Sequence, residues 1–330
     1  MSEDRYPVDD LLRALTGDPP IESADIAYIE SRVDVAIGEE KKVRQRRRPR
    51  TRVLMWAAAV AAVIVGTSVI LQTARVSPAA ATLEEIARAA EATDPLTITD
   101  ADFLYTRSET QARSEVPKAG LGDVPYERDS LVYLLSSTRE TWFGSDDTVQ
   151  IRTTVHDALF LTDEDEVAYY AAGLDQQDNL GRTDTLTVLD PGGDEWPTVP
   201  ALLDQTIRER MAQERGLPET VEYLSVALNI IREAYISPEL RAAALRLIAD
   251  LDGLKHEPTD PATDLAAFHV EYTDQGILTR FTFHIDRQGY LRFEERLNLE
   301  ADTRLGVPAH TPTFRAEYTR PTIAGSLQTP

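Results

Sequence analysis

The spacing of apolar and polar positions changes character along this chain. Residues 53–71 (VLMWAAAVAAVIVGTSVIL) are almost wholly apolar and carry no charge. As a helix, these 19 residues would span about 28 Å, close to the roughly 30 Å hydrocarbon core of a bilayer. The run has no polar face, which argues against a helix at the surface of a soluble protein. Before it, two short helical patterns stand out. One covers residues 8–15 (VDDLLRAL) and stops at Gly17-Asp18-Pro19-Pro20. The other covers residues 23–37, with Ile26, Ile29, Val33 and Ile37 on one stripe and Ser23 or Asp25 as its cap.

Beyond the apolar run, residues 82–93 (TLEEIARAAEAT) predict an amphipathic helix. Leu83, Ile86, Ala87 and Ala90 share a face, and Thr82 with Glu85 has capping-box spacing. The period then falls to two. Strands are expected over residues 103–116, 131–143, 149–161 and 167–172, with a hairpin turn at Gly144-Ser145-Asp146-Asp147. Residues 198–252 return to a helical period. Leu203, Ile207 and Met211 mark one helix, and Val221, Leu224, Leu228, Ile231 and Tyr235 a second. Leu240, Ala244, Leu247 and Leu251 mark a third, with Ser237 as cap, Pro238 in the first turn and Gly253 past the end. Strands resume at residues 268–272, 278–286, 290–299 and 314–319.

Strands, helices, then strands again predict an α+β fold: a curved antiparallel sheet with helices on one face. The expected organisation is a cytoplasmic helical segment (1–40), a basic juxtamembrane run (41–52), a transmembrane helix (53–72) and a linker (73–81). An extracytoplasmic domain (82–320) and a flexible tail (321–330) complete it.

Charge sets the orientation of the span. Lys41, Lys42, Arg44, Arg46, Arg47, Arg48, Arg50 and Arg52 precede it with no acidic residue between them, and short flanks rich in Lys and Arg stay cytoplasmic. The competing reading is a cleaved signal peptide, with Ala79-Ala80-Ala81 as the cleavage site. A signal peptide has a short basic region and an apolar core of about 7–15 residues; here 52 residues come first and the core is longer. The first 52 residues hold 11 basic and 11 acidic side chains, so the whole net charge of −22 falls on the remainder. Such an acidic domain does not fit nucleic acid or anionic lipid. With no cysteine, the chain forms no disulfide, thiolate metal site or lipid-anchored N-terminus. Its 30 Arg against 4 Lys point to a high-GC bacterium.

Candidate chemistry is sparse. The histidines are His156, His256, His269, His284 and His310. His269 and His284 fall on neighbouring strands and could meet beside Glu271, although histidines on a sheet surface are the plainer reading. Asp250-Leu251-Asp252-Gly253 lacks most calcium-loop positions and reads as a helix end. Asp163-Glu164-Asp165-Glu166 reads as a solvated hairpin turn. There is no nucleophile elbow, Walker loop or dinucleotide fingerprint. The expectation is a protein that is not an enzyme and carries no cofactor or metal. Ala58, Ala62 and Gly66 recur every four residues in the span, the small-xxx-small spacing that lets two membrane helices approach.

Several stretches together resemble an actinobacterial family of uncharacterised single-pass membrane proteins often encoded beside extracytoplasmic-function sigma factors. They are RQRRRPRTR with the alanine- and valine-rich span, LEEIARAAEA followed by DFLYTRSET, and WPTVPALL. ISPELRAAALRLIADLDGLK and FTFHIDRQGYLRFEERL complete the set. The resemblance implies an anti-sigma-factor-like layout, with the bilayer and a cytoplasmic sigma factor as partners. The stripe Ile26, Ile29, Val33, Ile37 would be the docking face. Residues 1–40 are shorter than typical anti-sigma domains and lack the zinc ligands of the zinc-dependent kind. The outer domain also resembles the half-barrels of periplasmic lipoprotein carriers and sigma-regulator sensors. A curved sheet under the helices of residues 198–252 could present an apolar concave face that holds a lipid or peptide; an ordinary core with no cavity is the plainer alternative. The alternative to a regulator is an anchored envelope binding or scaffold protein.

Overall fold

The computed structural model describes residues 77–99, 102–145, 148–189, 196–211, 217–233, 237–257 and 263–325. The expected span, the basic run Lys41 to Arg52, the stripe Ile26, Ile29, Val33, Ile37 and the small-residue face Ala58, Ala62, Gly66 lie outside these residues. Among the described residues no helix is long and apolar enough to cross a membrane.

The domain is α+β, built on one large curved antiparallel sheet. Helix α1 (Pro78–Glu91) opens it. The Ser77 side chain caps its N-terminus by accepting from Ala80 N, and Pro78 supplies a preset φ in the first turn. The expected Thr82 start is therefore four residues late. Thr82 lies inside the helix and donates to the Pro78 carbonyl. Strands β1 (Phe103–Pro117) and β2 (Ser130–Gly144) pair along their full length, from Phe103 opposite Gly144 to Pro117 opposite Ser130. β3 (Thr148–Phe160) follows as expected.

Residues 163–171 overturn a strand expectation. They form helix α2 (Asp163–Ala171), followed by the one-turn helix α3 (Leu174–Gln177). The physical reason lies in the four carboxylates of residues 163–166, which open the helix instead of forming the expected hairpin turn. Thr162 caps the helix and Asp165 returns a hydrogen bond to the Thr162 backbone, which closes a capping box. Acidic side chains in the first turn also suit the positive end of the helix dipole. Edge strand β4 (Thr183–Leu189) pairs with β3 and had no counterpart in the sequence reading.

Helices α4 (Pro200–Met211), α5 (Glu219–Arg232) and α6 (Pro238–Ala249) carry the apolar stripes read from the sequence, except that Tyr235 lies outside the described residues and Leu251 follows the end of α6. They precede β5 (Lys255–Glu257), β6 (Leu265–Asp274), β7 (Ile277–Asp286), β8 (Leu291–Asn298) and β9 (Pro312–Tyr318). β6 and β7 meet in a two-residue turn with Gln275 and Gly276 both at positive φ, the primed geometry that matches strand twist. The last strand, β10 (Thr322–Ala324), pairs with the start of β1, so the expected flexible tail contributes to the sheet. The sheet order is β4-β3-β2-β1-β9-β8-β7-β6-β5, with β10 beside β1.

Register assigns the two faces. Phe268, Phe281, Phe283, Ile285 and Leu291 bury against α1 and α4–α6, with Phe268 and Phe283 stacked at 5.4 Å. Each such aromatic or aliphatic side chain contributes about 1.5–3 kcal/mol when fully buried. On the same face, at the far end of β2 and β3, Leu131 and Tyr133 pack with Tyr169 and Leu174 of α2 and α3. The sheet thus carries two helical covers on one face. The other face is turned away from the helices and is mostly polar.

Candidate functional site

A hollow of about 430 Å³ sits on that polar face, over β9, β1, β2 and β3. Strand alternation builds it. Arg107, Glu109 and Gln111 of β1 point to one side because they are two apart. Across β9, Glu317 is opposite Glu109 and Arg315 is opposite Gln111. Across β2, Thr138 is opposite Glu109 and Ser136 opposite Gln111. β3 contributes His156 through an irregularity: Leu135 pairs with Ala158 but Ser137 with Val155, so His156 and Asp157 together face Ser136. This bulge brings the His156 ring to Thr138, with Oγ1 and Nε2 2.7 Å apart.

The charges are arranged in pairs along strands. Arg107 Nη2 donates to Glu109 Oε1 at 2.6 Å and Arg315 Nη2 donates to Glu317 Oε1 at 2.8 Å. All four side chains are 40–59% exposed, so each pair contributes only about 0–1 kcal/mol to stability. Arg315 also lies over the Phe293 ring of β8, 5.3 Å from its centroid. Arg107 Nε is shielded from solvent and meets no acceptor. Two clusters close the ends of this face. At one end Tyr105 and Trp142 pack with Ala324, and Glu140 accepts from Tyr105 Oη and Arg152 Nε. At the other end Val132 packs under Leu305 and Val307.

The histidines singled out in the sequence separate. His156 lines the hollow. His256 packs against Phe268, and His310 occupies a turn at φ 60°. His269 and His284 do lie diagonally on one face of adjacent strands, His269 opposite Thr282 and His284 opposite Ala267. Glu271 does not join them; it is held by Arg280 and Lys255, whose hydrogen bonds keep its carboxyl below the usual range. Glu257 Oε1 instead lies 2.8 Å from His269 Nδ1, at an angle that makes no hydrogen bond. Burial pushes both imidazole pKa values down, which favours neutral rings. Among the described residues no three His, Asp or Glu side chains are grouped to hold a metal ion.

Asp165 is a structural hub. It is fully buried and accepts from Tyr126 Oη at 2.5 Å, from Arg128 and from Thr162. Burial alone would raise its pKa; those hydrogen bonds outweigh burial and lower it. The hub ties the 122–129 loop to the start of α2.

The sequence reading did not pick out the hollow. The signal available was an Arg-x-Glu step in each of two strands, in RSETQ and in FRAEY. No protein-family model matches the chain, and comparison with curated proteins finds no relative.

Proposed function

We propose that this chain is a single-pass membrane-anchored regulator of the anti-sigma type. Its α+β domain lies outside the membrane and its first 40 residues hold a sigma factor in the cytoplasm. The observation that carries this reading is the uncharged run over residues 53–71 placed directly behind eight basic residues. The α+β domain begins at Ser77, a few residues past that run. The actinobacterial resemblance supplies the partner class. The polar hollow favours a second reading: an anchored envelope-binding protein whose cytoplasmic segment only sets orientation.

Two measurements test these readings. Alkaline phosphatase fused after Ala80 should be active, and a cytoplasmic reporter fused there should be silent; the reverse pattern overturns the topology. Full-length protein purified from its own host's membranes should co-purify with a sigma factor. The double substitution Ile29→Asp, Val33→Asp should release it, because charge on the docking stripe opposes burial. Correct topology with no sigma factor recovered leaves the envelope-binding reading.

A further inference from the structure

We propose that the hollow over β9, β1, β2 and β3 binds a neutral, hydroxyl-rich ligand, a short oligosaccharide segment. The inference deepens the reading of an outward-facing domain by naming what that domain takes.

Three observations carry it. The first is charge. The hollow presents two guanidinium and two carboxylate groups, and each Arg already pairs with its own Glu, 107 with 109 and 315 with 317. A ligand with net charge would have to compete with one of those pairs. A hydroxyl group adds to them, because it donates to the carboxylate and accepts from the guanidinium at once. Vicinal hydroxyls on a sugar ring match the side-by-side donor and acceptor that each Arg–Glu pair offers.

The second is the rest of the lining. Gln111, Ser136 and Thr138 add uncharged donors and acceptors, His156 adds an imidazole, and no large aliphatic side chain joins them. The hollow therefore has no apolar pocket for a lipid tail or for the side chains of a peptide. Its backbone offers little either. β1 is paired on both sides, with β2 and with β9, so its main-chain groups are engaged and a peptide cannot add as a strand there. Recognition falls to side chains, as polyol recognition does.

The third is size and rigidity. About 430 Å³ falls within the roughly 300–1,000 Å³ range of small-ligand sites. The polar groups stand on adjacent paired strands, so the backbone that carries them is ordered before a ligand arrives, which lowers the ordering cost of binding.

The test uses the full chain in phosphatidylcholine nanodiscs, titrated calorimetrically. The probes are trehalose, cellobiose and di-N-acetylchitobiose as neutral disaccharides, citrate as an anion and tri-alanine as a peptide. At least one disaccharide should bind, with a dissociation constant of about 0.1–10 mM, as expected for a shallow polar site. Its affinity should change less than about twofold between about 50 and about 500 mM salt, because no net charge is exchanged. Glu317→Gln and Gln111→Leu should each weaken it by about tenfold or more, the cost of one lost hydrogen bond to a bound polar group. Glu85→Gln, on the exposed side of α1, should leave it unchanged. Circular dichroism confirms that each variant is folded. Four outcomes overturn the proposal: no disaccharide binding, preferential binding of citrate, preferential binding of tri-alanine, or saccharide binding unaffected by both hollow variants. None of these measurements involves a sigma factor, so loss of the regulator reading leaves the result interpretable.

Discussion

Glu109 and Glu317 stand directly opposite each other across the β1–β9 pair, and each is neutralised along its own strand instead of across the sheet. Like charges placed opposite one another destabilise a sheet, while the exposed Arg partners give back a similar small amount. Glu109→Gln removes one repulsion and one half-exposed ion pair together. Its unfolding free energy in urea should stay within about 0.5 kcal/mol of the parent protein, the usual range for a surface substitution. A loss above about 2 kcal/mol would show that the row is there for stability, and that a ligand is not needed to explain it.

Asp165→Asn should behave in the opposite way. The carboxylate is fully buried and takes hydrogen bonds from Tyr126, Arg128 and Thr162. The amide cannot neutralise Arg128 and would put donors where acceptors are needed. Removing one partner of a buried pair costs about 3–5 kcal/mol, and with Arg128 a quarter exposed the lower end, about 3 kcal/mol, is expected. Urea denaturation measures the loss. The near-surface Glu109→Gln is the built-in control.

Two glycines should separate crowding from backbone conformation. Gly276 and Gly289 both have positive φ, +85° and +81°. A Cβ at 276 would meet nothing within 4 Å, whereas one at 289 would come within 2.9 Å of both Ala90 Cβ of α1 and Leu245 Cδ1 of α6. Gly276→Ala should cost about 1 kcal/mol from conformation alone. Gly289→Ala should add an overpacking cost of about 1–3 kcal/mol, because two helices must move away from the β7–β8 turn. The difference in thermal midpoints reads out the second contribution.

Buried histidines should make the domain sensitive to acid. Burial lowers the pKa of His269 and His284 below their ordinary 6.5 in the folded protein. As pH falls below about 6.5 the unfolded chain takes up protons that the folded one resists, so stability drops; above that window the contribution is complete. Glu295 has the opposite sign. Burial raises its pKa above 4.5, against the pull of Arg315, so its share of stability falls as pH rises through the folded value. The double variant His269→Gln, His284→Gln should flatten the fall in thermal midpoint between about pH 7 and about pH 5. An unchanged slope would assign the acid sensitivity to other groups.

Much of the architecture is legible in one dimension because the relevant forces are local. Alternation marks β1–β3, β7 and β8 to within a residue, while β6 extends three residues before and two beyond its expected bounds and β9 starts two residues early. Ser237 with Pro238 fixes the start of α6, and the stripes Leu203–Ile207–Met211 and Leu224–Leu228–Ile231 mark α4 and α5. Where the pattern misled, a short-range polar effect overrode a weak apolar one. The VAYY segment has strand-like residues, yet the Thr162–Asp165 box and the acidic first turn nucleate a helix there. β4 had no counterpart in the sequence because residues 183–187 of this outer strand are all exposed, so no buried face marks it.

By itself, the sequence determined the α+β class, the placement of most strands and helices, the two charge regimes and the uncharged apolar run behind its basic residues, since each follows from neighbours a few residues apart. The tertiary structure alone decided which strands lie side by side. Glu109 and Glu317 are 208 positions apart in the chain and become neighbours only because β9 inserts between β1 and β8. The same pairing places Gln111 opposite Arg315, and the β3 bulge turns His156 toward Thr138. A hollow assembled across four strands depends on long-range register, and register is set by the summed burial of both faces, which no local window of sequence contains.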